Sequence, residues 1–162
     1  MRTFFIFRYN RLILFAALMS GAFAIPAAAQ NSVAIVVRQD VPATNLSVNE
    51  LRALLLGNRQ FWNSNLRVTL LAQAPGAKER GVMLKTVYLM SEAQFQQYWI
   101  AKVFRADATS GPRTVYSNEM AAELAMSIPG AIAFVDASQI PAGLKLLKIN
   151  GLMPGEKGYP LR

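Results

Sequence analysis

The sequence predicts an α/β fold in which a mixed sheet is flanked by helices. Three observations carry that expectation. Val33–Val37 and residues 131–135 are short, continuous apolar runs, the pattern of strands covered on both faces. Between them lie helices with their own start signals, Ser47 with Glu50 and Ser91 with Gln94, each a capping-box spacing. The Pro-Gly pairs 75–76 and 129–130 punctuate the chain between strand and helix.

The first residues stand apart from that pattern. Arg2, Arg8 and Arg11 form a basic region, residues 12–24 are apolar except for Ser20, and Ala27-Ala28-Ala29 precedes Gln30. Basic, apolar and small-residue segments in that order describe a secretory signal peptide, cleaved after residue 29, with Ala24 before Ile25 as a second candidate cut. The apolar run is shorter than the roughly 20 residues that cross a bilayer. No twin-arginine pair is present, so the general export route to the periplasm is expected, with no integral membrane span after cleavage. Residues 30–162 then make one domain.

The elements follow in order. After the strand at 33–37, Leu46 packs as a staple before the Ser47 cap, and Leu51, Leu54 and Leu55 share one helical face. Gly57 ends this helix, and Phe61 and Trp62 are placed to fold back over its end, Trp62 as a lid. A second strand is expected over 67–71 and a loop over 72–77. A helix over 78–90 sets Met83, Leu84, Val87 and Tyr88 on one side, weakened at Gly81. In the next helix Phe95, Tyr98, Trp99 and Val103 form a stripe that reads as core. A short strand over 114–116 leads into a helix capped by Ser117 or Asn118, with Met120, Leu124 and Ile128 facing inward. Strands at 131–135 and 144–149 and an extended tail from Pro154 complete the chain.

Composition narrows function. The chain has no cysteine and no histidine, which removes disulfides, thiolate nucleophiles, histidine triads and the common zinc sites. No pair among the 9 acidic residues has a catalytic setting, so a non-enzyme without cofactor or metal is expected. Removing the three leader arginines from the 17 basic residues leaves 14 against 9 acidic, a net charge of +5. These charges are scattered along the chain rather than clustered, against a nucleic-acid partner and in favour of a mild bias to small anions.

Taken together, V-A-I-V-V at 33–37, L-S-V-N-E-L-R-A-L-L-L-G-N-R-Q-F-W at 46–62, Y-W at 98–99, S-N-E-M at 117–120, P-G-A-I-A-F-V at 129–135 and G-Y-P-L-R at 158–162 resemble one family. It is the substrate-binding-protein-like domain of phosphate ABC transporter receptors, with a type II periplasmic binding-protein fold. The resemblance implies an exported solute-binding module for phosphate or a related oxyanion, serving a transporter permease or a sensor. Such receptors have two lobes, and this chain has room for roughly one. Their second anion loop reads like Gly-Ser-Gly-Thr-Arg; the matching stretch is Gly76-Ala77-Lys78-Glu79-Arg80, which keeps the glycine and the arginine but not the hydroxyls.

Two strand-to-helix joints are the candidate anion site. Free amides and the dipole at a helix start favour negative charge, and in open α/β sheets ligands sit at the carboxyl ends of strands. One joint carries Gly76, Lys78 and Arg80, the other Ser117 and Asn118. The competing expectation is a one-lobe derivative that binds no solute and acts through another periplasmic protein.

Overall fold

A computed structural model describes residues 32–162. The expected signal peptide and both of its candidate cleavage points lie outside the described residues. The chain opens with β1 (Val33–Val37) and the short β2 (Asn45–Leu46), followed by α1 (Val48–Leu55). A small hairpin of β3 (Phe61–Asn63) and β4 (Leu66–Arg67) precedes β5 (Thr69–Gln73). Then come α2 (Lys78–Met83), continued by a π-helical turn over Leu84–Tyr88, and α3 (Glu92–Phe104). The order closes with β6 (Arg113–Val115), α4 (Asn118–Ser127), β7 (Ala131–Asp136), a 3₁₀ turn over Ala137–Gln139, and β8 (Lys145–Ile149).

Six strands form one mixed sheet in the order β2-β8-β1-β7-β5-β6. β5 runs parallel to both β6 and β7, while β1 is antiparallel to β7 and β8. The alternation along the two long apolar runs divides the core. Val33, Ile35 and Val37 of β1 join Ile132 and Phe134 of β7 on one face, under α1, the π turn and α3. Ala34, Val36, Ala131, Ala133 and Val135 point to the other, under α4. The first face is built from large side chains and the second largely from alanines, so α4 sits close to the sheet through Ala121 and Ala125.

Both capping boxes form. The Ser47 hydroxyl accepts from the Glu50 amide while the Glu50 carboxylate accepts from the Ser47 amide, and Ser91 with Gln94 repeats the exchange. Gly57, in the left-handed region at φ 67°, follows α1 as expected. The aromatic that closes over it is Trp99, whose ring would stand 2.9 Å from a β-carbon at Gly57. Trp62 is buried elsewhere, with its indole nitrogen donating to the Gly130 carbonyl, and Phe61 is exposed.

Several sequence expectations need correction. The strand expected over 67–71 is β5, shifted to Thr69–Gln73; Arg67 belongs to the hairpin, and Gln73 extends the strand because its side chain is buried and hydrogen-bonded. The helix expected over 78–90 changes to π geometry after Met83 and ends at Leu89, in the left-handed region at φ 55°. In α3 the inward position is Lys102 rather than Val103: seven residues after Phe95 returns to its face, and Lys102 buries its stem while its ammonium reaches the Asn58 side chain at 2.8 Å. In α4 the buried residues are Ala121, Ala122 and Ala125, with Met120, Leu124 and Ile128 packing at the sides, because the alanine face of the sheet admits only small side chains at its centre. The tail is not merely extended. It turns so that Tyr159 and Leu161 are buried, the Tyr159 hydroxyl donating to the Val33 carbonyl at 2.8 Å and the Val33 amide to the Leu161 carbonyl at 2.8 Å.

Candidate functional site

The parallel strands β5, β6 and β7 end side by side at Gln73, Val115 and Asp136. From β5 the chain leaves to one face of the sheet, into α2 and α3; from β6 it leaves to the other, into α4. Adjacent strands whose connections depart to opposite faces create a crevice at their carboxyl ends, where ligands sit in open α/β sheets. Both sequence-predicted joints flank that crevice, so the fold brings Gly76, Lys78, Ser117 and Asn118 to one edge.

The side chains there are largely engaged with one another. Gln73, buried at the end of β5, donates to the Asn118 carbonyl oxygen at 3.1 Å and to the Phe134 backbone carbonyl at 3.4 Å. The same Asn118 oxygen accepts from the Asp136 amide at 3.3 Å, and the Asn118 nitrogen donates to Gln139 at 3.0 Å. Asn118 thus ties three strand ends together. Ser117 is the cap of α4, accepting from the Met120 amide at 3.1 Å. The Glu119 carboxylate is held below the usual carboxylate range first by its own amide and then by the Ser117 hydroxyl, so α4 supplies its first turn with an anion of its own.

Arg80 takes a different place from the other four. It is buried, and its guanidinium forms a fork on Glu92, with contacts of 2.7 and 2.6 Å, while a third nitrogen donates to the Gln73 carbonyl at 2.8 Å. Its charge also lies 4.6 Å from the Phe95 ring centroid. The Arg80 hydrogen bond, against a smaller opposing effect of burial, holds Glu92 below the usual carboxylate range. Burial raises the neighbouring Tyr88 phenol, and the Arg80 charge offsets only part of that rise. Arg80 therefore locks the start of α2 to α3.

Lys78 is the cation left facing the edge. Its side chain is about half exposed, with its ammonium 4.0 Å from the Asp136 carboxylate. Burial works against ionised Asp136, but hydrogen bonds from the Ser138 hydroxyl and amide and the Lys78 charge together hold its carboxyl below its ordinary value. Ala77 caps α2 with no side-chain hydrogen bond, and Gly76, at φ 89°, turns the backbone into it with open space at its α-carbon. Sequence reasoning missed Gln73, Glu92, Asp136 and Gln139. Gln73 and Asp136, each a polar residue closing an apolar strand, carried a local signal. Among the described residues no group of acidic side chains could hold a metal ion, and no helix is long and apolar enough to cross a membrane.

This architecture is that of roughly one lobe of a type II periplasmic binding protein. Solved structures share it, among them the following three. A protein from Clostridium perfringens, assigned as a phosphate ABC transporter substrate-binding protein and solved with bound phosphate, aligns with TM-score 0.61 at 12% identity, over 76% of this chain and 46% of its own. An ABC-type phosphate transport receptor from Vibrio cholerae gives 0.60 at 18% identity, over 76% and 48%. PstS from Borrelia burgdorferi gives 0.59 at 16% identity, over 76% and 49%. The chain therefore spans about half the length of each. No family model matches the sequence, and no curated protein does.

Proposed function

We propose that the chain is an exported, non-enzymatic solute-binding-like module that takes phosphate or another small oxyanion at the β5–β6 edge, in connection with ABC transport or sensing. In this reading the leader ends before Gln30, residues 30–162 work in the periplasm, and the partner is a transporter permease or another periplasmic protein. The observation that carries it is Lys78 at a helix start without a side-chain cap, set at the switch point of the sheet. The names of the solved neighbours supply the ligand class. Calorimetric titration of the purified chain with phosphate tests it: saturable binding that Lys78→Ala removes is expected, and undetectable binding by the unmodified chain overturns it.

A second reading is favoured by the engagement of Arg80 with Glu92, of Asn118 with three partners, and of the α4 start with Glu119. On this reading the lobe no longer grips solute at that edge and acts by contact with another periplasmic protein. Crosslinking in intact periplasm distinguishes the two. A specific crosslinked partner with no phosphate binding supports the second; a monomer that binds phosphate supports the first.

A further inference from the structure

The opposite end of the same strands holds a recess that neither reading uses. It lies at the starts of β5 and β6, between the end of α1 and the loop before β6, and its volume is about 160 Å³. Strands of this length, at about 3.3 Å per residue, place it roughly 15 Å from the Lys78 edge. Arg59, Arg67 and Arg113 line it, together with the hydroxyl residue Thr109 and the indole of Trp99. None of the 9 carboxylates of the chain lines it.

The arginines are differently committed. Arg59 is oriented by its own turn, donating to the Phe61 and Trp62 carbonyls at 3.1 Å each. Arg67 donates to the Thr109 hydroxyl at 3.0 Å, which holds it against the far wall. The Arg113 side chain makes no hydrogen bond or ion pair with the described residues, and none of the three lies within ion-pair distance of a carboxylate, although the Arg59 charge acts on Glu50 from further away. Asp107, the acid in the neighbouring loop, is held by Arg105 at 2.9 Å. Three like charges around one recess repel unless an anion sits among them.

A second, independent observation comes from Trp99. Its indole nitrogen is the one buried side-chain polar atom among the described residues that lacks a hydrogen-bond partner. Buried donors are normally satisfied, and an exception calls for an explanation. The Trp99 ring lines the recess, with this nitrogen on its buried side.

We infer that this recess is a binding site for a small oxyanion, inorganic phosphate or a short dicarboxylate. Guanidinium groups recognise paired oxygens in a plane, and the lining supplies three of them beside an apolar ring. The volume is below the ~300–1,000 Å³ of pockets for drug-sized molecules, which suits a ligand of a few heavy atoms. The site is separate from the Lys78 edge, and the two stand or fall independently.

The test titrates the purified chain with inorganic phosphate and, separately, with succinate, followed by calorimetry and by the indole N–H resonance of Trp99. Saturable binding of at least one anion is expected, with a shift of the Trp99 resonance. Arg67→Ala combined with Arg113→Ala should weaken binding at least tenfold and abolish the Trp99 shift at an unchanged melting temperature, because both side chains are exposed, while Lys157→Ala, an exposed lysine of the tail, leaves both intact. Phosphate without succinate identifies an inorganic ligand, and the reverse an organic one. No binding of either at millimolar concentration overturns the inference. So does binding lost with Lys78→Ala but kept by the double arginine variant, an outcome that leaves the strand-end reading standing.

Discussion

The indole nitrogen of Trp62 lies 2.9 Å from the carbonyl oxygen of Gly130, 68 residues further along the chain. The same carbonyl accepts the Thr69 amide at 3.1 Å. One peptide oxygen thus joins the segment after α1, the start of β5 and the start of β7. Two of the three strands whose ends form the candidate site edge are fixed in register at their origin.

Trp62→Phe removes one of these two bonds and leaves the carbonyl with its Thr69 partner. Because the indole is buried, loss of the hydrogen bond and of ring volume should destabilise the chain by about 1–2 kcal/mol. Urea denaturation should show a lower midpoint at unchanged slope.

Gly130→Ala should be more severe. Gly130 has φ 66°, and a β-carbon there would lie 2.0 Å from the Arg67 carbonyl oxygen. Left-handed strain and a backbone clash add, so a loss of about 3 kcal/mol is expected. Differential scanning calorimetry should show a melting temperature lower by roughly 10 °C.

The Arg80–Glu92 fork should make stability depend on acid. The folded-state pKa of Glu92 lies below its ordinary value of 4.5, so the folded state binds its proton less readily than the unfolded chain. The contribution is present above pH 4.5 and is lost as pH falls through the folded pKa. Glu92→Gln should cost ~2 kcal/mol at neutral pH, less than a fully buried pair because the Glu92 side chain is 34% exposed. Chemical denaturation repeated from pH 7 down to about pH 3 should show the gap between variant and parent closing below pH 4.5.

Asp136 stands against an anion at the Lys78 edge. If solute binds there, Asp136→Asn removes a negative charge near the ligand while keeping an oxygen that can accept from Ser138. A change of about 1 kcal/mol, or roughly fivefold tighter phosphate binding by calorimetry, is expected. Weaker binding would instead give the carboxylate a role in holding the ligand.

The sequence by itself determined the elements whose causes are local. A capping box closes over three residues, so Ser47 with Glu50 and Ser91 with Gln94 were legible without any knowledge of the fold. The continuous apolar runs of β1 and β7 were enough to place both as covered strands, and their order with the helices was enough for the α/β class. The joint at Ser117 was legible for the same reason, since a strand followed at once by a cap marks a helix start, and the joint at Gly76 by its Pro-Gly turn.

What only the tertiary structure decided is which charges meet. In sequence Lys78 and Arg80 are equivalent cations two residues apart. In the fold Arg80 turns inward to Glu92, across the reversal at Leu89, and Lys78 stays at the surface. Arg59, Arg67 and Arg113 look scattered along the chain, yet parallel pairing of β5 with β6 sets Arg67 and Arg113 beside one recess. The reason is physical: a helix cap or an alternating strand is written in neighbouring residues. The partner of a charge depends on where the chain returns, and burial then enforces that partner, because an unpaired buried charge is too costly to keep.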